Sequence, residues 1–309
     1  MSNKFSTFIC QNCGSETSQY FGRCLNCNEW NTIVEERKNT RSKTTSVNKN
    51  KKSKLFNEIE IGNISRFTSG FKEFDRVLGG GIVPGSIVLL GGEPGIGKST
   101  IVLQSAGKIS LNGKVLYITA EESLEQVKIR WERLNQSSLD LKIYAETNLS
   151  LIIEEIKKIK PGFAIIDSIQ AINNDEMESS PGSVSQVRTC SSELQNLAKE
   201  NNIALLIIGH VTKDGALAGP KTLEHLVDVV LNFEGDNIAS HRLLRSVKNR
   251  FGSTFEIGIF EMLENGLREV INPSSIFTNK ENISGVTTTI TNEGSRPFAV
   301  DIQALVNKT

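Results

Sequence analysis

Short apolar runs alternate with segments of helical periodicity through the middle of the chain. Four of these runs are apolar on both faces and are bounded by Gly, Pro or polar residues, which predicts buried β-strands. The runs are 86–92 (SIVLLGG), 114–120 (KVLYITA), 163–169 (FAIIDSI) and 204–210 (ALLIIGH). Between them, the segments 123–134, 150–159 and 184–200 place apolar residues at helical spacing. Strands that alternate with helices predict an α/β fold, with a mostly parallel sheet and helices on both faces.

Strand patterns crowd together after residue 234, without helical segments between them. They are 241–249 (HRLLRSVKN), 254–263 (TFEIGIFEML) and 266–271 (GLREVI). Short connections of this kind join antiparallel strands, so we expect antiparallel additions at one edge of the sheet.

A polar segment precedes the alternating region. Residues 35–56 carry eight Lys and Arg against two Glu and hold almost no apolar residues, which predicts a flexible basic linker. Two interpretations stay open for it. It is either a solvated tether or a segment that makes weak contacts with a nucleic-acid backbone through counterion release.

Composition narrows the class of protein without identifying a partner. The chain has 309 residues, 38% of them apolar, and its 35 Lys and Arg balance its 35 Asp and Glu. The sequence contains no apolar run of about 18 residues, and its first ten residues lack the apolar core of a signal peptide. We therefore expect a cytoplasmic protein without membrane contact, in which thiols stay reduced.

Four of the five cysteines form a metal-binding pattern near the N-terminus. Cys10, Cys13, Cys24 and Cys27 are spaced as C-x2-C, ten residues, and C-x2-C. Two such turns close a tetrahedral four-thiolate site, which predicts Zn²⁺, with an iron–sulfur cluster as the alternative. Gly14 and Asn28 follow the two turns and suit the backbone geometry that such turns need. Because the segment is too short for a core of its own, the metal supplies its folding energy.

The stretch GGEPGIGKST matches the phosphate-loop pattern G-x4-G-K-[ST]. It follows a predicted strand and opens a helical segment, as this motif requires. Lys98 is expected to reach the β- and γ-phosphates of ATP, and the hydroxyl of Ser99 or Thr100 is expected to bind Mg²⁺. The candidate nucleotide-binding residues are Gly92, Glu93, Pro94, Gly95, Ile96, Gly97, Lys98, Ser99 and Thr100.

Further polar residues follow the neighbouring strands, at the edge where ligands of open α/β sheets bind. Asp167 ends one strand and is expected to hold the metal through water. Glu121 and Glu122 follow another, and one of them is expected to polarise the attacking water, with helix capping as the alternative role. His210 ends the last core strand and is positioned to sense the γ-phosphate.

The stretch 207–225 (IIGHVTKDGALAGPKTLEH) is rich in Gly, Ala, Thr and Lys after its strand. Lys213 and Lys221 are candidates to face the phosphates of a polymer, and a mobile surface loop is the alternative interpretation.

Four motifs together resemble the bacterial RadA/Sms DNA repair proteins. They are the four-cysteine knuckle, GGEPGIGKST, HVTKDGALAGPKTLEH at 210–225 and KNRFG at 248–252, in that order. The resemblance covers residues 8–305. It implies a RecA-like ATPase core behind a small zinc ribbon-like knuckle. It also implies a hexameric ring, binding of single-stranded and branched DNA, and branch migration alongside the recombinase RecA.

The resemblance also assigns roles to particular residues. Glu121 takes the position of the catalytic glutamate, and 173–188 and 212–224 take the positions of DNA-facing loops, which adds Arg188 to the candidate DNA contacts. In ring ATPases a neighbouring subunit contributes cations to the γ-phosphate. Lys248 and Arg250 of KNRFG are candidates for this role, with DNA contact or coupling, or a purely structural hairpin, as the alternatives.

The expected domains are a four-Cys zinc finger (8–34), the basic linker (35–56) and a RecA-like ATPase core (57–275). Residues 276–309 resemble the opening strands of a Lon-protease-like domain, so we expect an incomplete domain or, alternatively, a docked hairpin. The predicted function is a DNA-dependent ATPase and helicase-like motor in homologous recombination and DNA repair. Two alternatives remain: a nucleotide-switched regulatory ATPase without translocation, and a recruitment module gated by ATP.

Overall fold

The computed structural model describes residues 6–11, 13–37, 55, 57, 65–209, 221–235, 240–278 and 284–304. The first unit is a three-stranded antiparallel sheet with the order β2-β1-β3. Its strands are β1 (Ser6–Cys10), β2 (Glu16–Thr17) and β3 (Ile33–Arg37). β3 therefore includes residues 35–37, which the sequence assigned to the linker, because these residues pair with Ser6–Phe8 of β1. Most of the predicted linker lies outside the described residues.

A nine-stranded sheet forms the centre of the molecule, in the order β12-β11-β10-β9-β4-β8-β7-β5-β6. Its strands are β4 (Ile87–Gly92), β5 (Val115–Thr119), β6 (Leu141–Ala145), β7 (Phe163–Asp167), β8 (Ala204–Ile208), β9 (Val229–Glu234), β10 (His241–Asn249), β11 (Ile257–Leu263) and β12 (Gly266–Glu269). β4 to β9 are parallel to one another, whereas β10 pairs antiparallel with β9 and is followed by the antiparallel strands β11 and β12 at one edge. This confirms the predicted fold class and the antiparallel additions.

Helices cover both faces of this sheet. They are α1 (Lys72–Leu78), α2 (Lys98–Ser110), α3 (Leu124–Leu134), α4 (Leu149–Ile159), α5 (Val184–Asn201), α6 (Lys221–Leu226) and the short α7 (Ser274–Phe277). Polar side chains fix the starts of three of them. Ser123 forms a reciprocal capping box with Gln126, Asn148 caps α4, and Ser183 caps α5.

Two apolar cores lie on opposite faces of the sheet. One holds buried residues of α1, α2 and α3, and the other holds buried residues of α4, α5 and α6. Adjacent residues of β5 divide between them, since Tyr117 belongs to the first core and Leu116 and Ile118 belong to the second. This division follows from the alternation of side chains along a strand, and it explains why the core strands read as continuous apolar runs.

The last described element is a hairpin of β13 (Val286–Glu293) and β14 (Arg296–Gln303). Arg296 places its Nη1 atom 2.9 and 2.8 Å from the two carboxylate oxygens of Glu73 in α1. Phe298 is buried against Ile257 and Ile259 of β11. The hairpin therefore packs on the ATPase core, and α7 spans the boundary that the sequence placed at residue 275.

No helix within the described part of the chain is long and apolar enough to cross a membrane.

Candidate nucleotide and metal sites

The phosphate loop leaves the carboxyl end of β4 and turns directly into α2. Lys98 is the first residue of α2, and its ammonium donates to the carbonyls of Gly92 and Glu93, both at 2.8 Å. Gly97 has φ 112, and a Cβ atom there would lie 2.5 Å from Cε of Met262, so only glycine fits this turn. The loop and the helix N-terminus present backbone N–H groups as a phosphate site requires.

Two opposing effects act on the ammonium of Lys98. The residue is buried, and this burial lowers the pKa of its ammonium, while the nearby carboxylates of Asp167, Glu121 and Glu93 oppose the shift. When bound, ATP supplies the phosphoryl group that is transferred to water, and Mg²⁺ neutralises charge on it.

Asp167 lies beside the phosphate loop at the end of β7. Its Oδ2 atom accepts a hydrogen bond of 2.5 Å from the hydroxyl of Tyr117, and Ser99 donates a second one. Burial raises the pKa of Asp167, and the two hydroxyl donors act against this rise. Burial also raises the pKa of Tyr117 far above its usual value, so the phenol stays protonated and donates a hydrogen bond to Asp167. A carboxylate aligned with Ser99 fits a Mg²⁺ site held in part through water.

The two glutamates after β5 have different partners. The hydroxyl of Ser168 donates to Glu121, whose exposed side chain is close enough to Lys98 to influence the pKa of the ammonium. Glu122 instead pairs with Arg130 of α3, and its backbone N–H donates to Thr119 Oγ1 at 3.2 Å. The structure therefore brings Glu121 together with Lys98 and Asp167, while the charge of Glu122 is neutralised within the fold.

The KNRFG segment is level with the amino end of β4, whereas the phosphate loop of the same chain follows the carboxyl end of β4. Asn249 is level with Val229 of β9, which in turn is level with Val88 of β4. Val88 comes four residues before Gly92 along β4, which corresponds to about 13 Å. Lys248 and Arg250 thus do not approach the phosphate loop that precedes them in sequence.

Each residue of this segment has a partner in the fold. Lys248 donates through Nζ to the carbonyls of Glu224 and Val227, at 2.5 and 2.8 Å, and so binds the end of α6. Asn249 donates through Nδ2 to the carbonyl of Val77 at 3.1 Å. Arg250 pairs with Asp228 at 2.8 Å while its side chain stays 50% exposed.

The remaining two residues of the segment pack closely. Phe251 packs against the first apolar core. A Cβ atom at Gly252 would lie 2.9 Å from Cα of Gly79, so the chain needs glycine there. KNRFG is therefore a structural junction that leaves one guanidinium half-exposed.

Outside KNRFG, two of the candidate DNA contacts, Arg188 and Lys221, belong to described helices. Arg188 lies on α5 and pairs at 3.2 Å with Glu16 of β2, and both side chains are partly exposed. Lys221 is the first residue of α6. His210 and Lys213 lie outside the described residues, as do residues 212–220 of the predicted loop 212–224, whereas residues 221–224 are helical and belong to α6.

Cys10, Cys13, Cys24 and Cys27 bring their sulfur atoms within 4.8 Å of one another. Cys10 and Cys27 are 3.7 Å apart, and Cys13 and Cys24 are 3.5 Å apart. Tetrahedral Zn²⁺ with Zn–S bonds of about 2.3 Å separates its sulfur ligands by roughly 3.8 Å, so this arrangement fits the metal. Gly14 and Asn28 have φ values of 70 and 63, which confirms the turn geometry expected after the second cysteine of each pair.

Sequence reasoning missed several residues of these sites. Tyr117 lies in an apolar strand and Ser168 directly follows Asp167, so no sequence pattern marks either of them as part of the site. Arg130 and Asp228 find their partners only through the tertiary fold.

Two family models match the chain. The one described as a rubredoxin metal binding domain matches residues 8–35, and the one described as an AAA domain matches residues 63–216. The fold is similar to that of a DnaB-like replicative helicase, with a TM-score of 0.59, 17% identity, and coverage of 68% of this chain and 63% of the helicase chain. It is also similar to the RadB recombinase, with a TM-score of 0.52, 22% identity, and coverage of 66% of this chain and 99% of that chain. At these identities the likeness concerns the fold alone.

Curated relatives give a closer comparison. The DNA repair protein RadA of Streptococcus pyogenes serotype M6 is 51% identical over 315 residues, covering 100% of this chain and 69% of the relative. That of Listeria monocytogenes is 51% identical, covering 98% of this chain and 67% of the relative. That of Synechocystis is 46% identical, covering 100% of this chain and 68% of the relative.

The two family matches agree with the zinc site and the nucleotide site described above. The AAA-domain match and the phosphate loop make the chain an ATP hydrolase that uses ATP and Mg²⁺, and the four-cysteine cluster makes Zn²⁺ its second metal. At 51% identity over its whole length, the chain belongs to the RadA family of DNA repair proteins.

Proposed function

We propose that the chain is a DNA-dependent, helicase-like ATPase that drives branch migration of recombination intermediates in the cytoplasm. Its partners in this proposal are single-stranded and branched DNA, the recombinase RecA, and further copies of itself in a hexameric ring. The observation that carries the proposal is the arrangement of β4. The strand leads to the phosphate loop at one end, and at its other end it lies beside a half-exposed arginine.

In this proposal the residues of the phosphate loop bind ATP, with Lys98 at the β- and γ-phosphates and Ser99 or Thr100 at Mg²⁺. Asp167 holds Mg²⁺ through water, and Glu121 polarises the water that attacks the γ-phosphate. Support comes from the position of Asp167 and Glu121, which are close enough to Lys98 for their charges to raise the pKa of its ammonium. His210 keeps its expected role as a sensor of the γ-phosphate.

The four cysteines are proposed to hold Zn²⁺ in a finger comprising residues 8–34. The proposed linker extends from the end of β3 to residue 56, and α7 joins the proposed core, residues 57–275, to the proposed segment 276–309.

Arg250 is proposed to act on the nucleotide of a neighbouring subunit. Arg250 follows Asn249, whose backbone is level with a point on β4 about 13 Å before the phosphate loop, so Arg250 does not serve the loop of its own chain. In the proposed ring, a finger of this kind acts on the nucleotide of the adjacent subunit. Lys248 has its ammonium bound to the end of α6, and burial lowers the pKa of this ammonium. Lys248 therefore connects the end of α6 to β10, which favours coupling to DNA over direct contact with phosphate.

Arg188, Lys213 and Lys221 are proposed to contact DNA directly, and Lys248 and Arg250 are the alternative DNA contacts for the case in which KNRFG does not act as the finger. Pairing of Arg188 with Glu16 is weak, because both side chains are partly exposed, so a DNA phosphate is able to replace Glu16.

Strand displacement from a forked DNA tests the motor directly. We expect the full chain to separate the strands in the presence of ATP and Mg²⁺, and to be inactive with a non-hydrolysable ATP analogue. DNA should also raise the rate of ATP hydrolysis. ATP hydrolysis without strand displacement, and unchanged by DNA, would instead favour the nucleotide-switched regulatory ATPase.

Mixed subunits test the role of Arg250. We expect Arg250→Ala to lower ATP hydrolysis on the order of 1,000-fold, as the loss of an arginine finger does. Lys98→Ala should be inactive as well, since it removes the charge that stabilises the γ-phosphate. When the two variants are mixed, some interfaces pair an intact phosphate loop with an intact Arg250, so activity should reappear.

The mixing experiment requires assembly, which light scattering with ATP and DNA measures beforehand. If Arg250→Ala retains DNA-independent hydrolysis but loses DNA binding, KNRFG is a DNA-contacting element and the finger assignment is wrong.

A further inference from the structure

Asp228 lies immediately before β9 and connects two distant segments. Its Oδ2 atom accepts a hydrogen bond from the backbone N–H of Ile87 at 3.0 Å, and its Oδ1 atom accepts one from Nη1 of Arg250 at 2.8 Å. Backbone hydrogen bonds reinforce both contacts. Asp228 N–H donates to the carbonyl of Ile87 at 3.0 Å, and Arg250 N–H donates to the carbonyl of Asp228 at 3.1 Å.

The two partners in this ion pair differ in exposure. The side chain of Asp228 is 7% exposed, and that of Arg250 is 50% exposed. The backbone N–H of Ile87, the first residue of β4, holds the buried carboxylate of Asp228 in place. The guanidinium of Arg250 binds this carboxylate and extends toward solvent. A long side chain at an exposed strand end otherwise samples many rotamers, and pairing with a fixed acceptor restricts them.

We infer that Asp228 is a positioning residue for Arg250 and holds its guanidinium in the orientation that reaches the neighbouring nucleotide. This inference rests on the proposed finger role of Arg250. Asp228 itself contacts neither nucleotide nor DNA and acts through Arg250. Because Ile87 opens β4 and Gly92 ends it, one strand fixes both the phosphate loop of a subunit and the anchor of its finger.

The test uses Asp228→Asn in the full chain. An asparagine retains an oxygen that accepts from Ile87 N–H, but it loses the charge that pairs with Arg250. We expect kcat to fall on the order of 10-fold to 100-fold, as small displacements of catalytic groups do, with an unchanged KM for ATP. Glu234→Gln is the matched control, because Glu234 of β9 pairs with Arg245 of β10 at 3.4 Å with both side chains exposed. It should leave kcat unchanged.

Mixing then distinguishes positioning of the finger from support of the strand. A mixture of Asp228→Asn with Lys98→Ala should regain activity, since the Lys98→Ala subunit still carries a correctly held Arg250. A mixture of Asp228→Asn with Arg250→Ala should regain none, because both variants lack the same half of the composite site. A structural defect alone would not produce this pattern.

Each outcome has a distinct meaning. Rescue of Asp228→Asn by Arg250→Ala, or by neither variant, overturns the inference even when Lys98→Ala and Arg250→Ala rescue each other. Failure of that reference pair removes the finger proposal and this inference together. If Asp228→Asn unfolds at a lower temperature than the wild type, Asp228→Ser repeats the test with a shorter neutral side chain.

Discussion

Replacement of Glu121 by Gln is expected to leave ATP binding intact and to slow hydrolysis on the order of 100-fold to 10,000-fold. Glutamine has the size of glutamate but cannot accept a proton from the attacking water. Ser168 remains able to donate to the amide oxygen, so the surroundings of the side chain stay in place. Single-turnover hydrolysis measures the loss, and binding of a fluorescent ATP analogue checks that affinity is unchanged.

Glu122→Gln is the matched control, because Glu122 is the adjacent residue with the same side chain. Its partner is Arg130, so its replacement should affect stability more than hydrolysis. If the Glu122 variant loses turnover and the Glu121 variant hydrolyses normally, the catalytic glutamate is the second of the pair. Lys98→Ala should abolish hydrolysis in the same assay.

Removal of Zn²⁺ is expected to unfold the N-terminal unit and to leave the ATPase core folded. The apolar core of this unit is small and consists mainly of the cysteines themselves together with Phe8 and Ile33. Binding of a structural Zn²⁺ is worth about 10–16 kcal/mol, which far exceeds what such a core contributes. Metal analysis should find one equivalent of Zn²⁺ per chain, and a strong chelator should make residues 8–34 sensitive to protease.

Cys10→Ser and Cys190→Ser form a matched pair for this test. Cys190 is buried in α5, away from the other four cysteines, so its replacement should keep the full equivalent of Zn²⁺. The Cys10 variant should lose the metal. Much less than one equivalent in the wild type, together with free alkylation of all four thiols, would contradict the assignment.

Fixed spacings made the metal and phosphate sites predictable from the sequence. The two C-x2-C pairs and the phosphate loop are local patterns, and each is formed by a turn that its own residues specify. Asp167 was predictable because it ends an apolar strand. The carboxyl ends of parallel strands lie at the same end of the sheet. The register of β5 with β7 places Asp167 level with Thr119, and Thr119 is two residues before Glu121 in the sequence.

Contacts that depend on register across the sheet were not predictable. Asp228 meets Arg250 only because β9 pairs with β10, and no local pattern marks this contact. Tyr117 reads as one more apolar residue of β5, and only the structure shows its hydroxyl against Asp167. β6 was missed because it lies at the edge of the sheet and is only partly buried, so it lacks the continuous apolar run of the central strands.

The contact between Gly252 and Gly79 limits how the sequence is able to vary. A Cβ atom at Gly79 would lie 3.0 Å from Cα of Gly252, and one at Gly252 would lie 2.9 Å from Cα of Gly79. In most cores, enlargement of one residue is compensated by reduction of its neighbour. Here both residues are already the smallest amino acid, so neither substitution has a compensating partner. Variation at this junction is expected to require a shift of the backbone, and the two glycines should persist or be lost together.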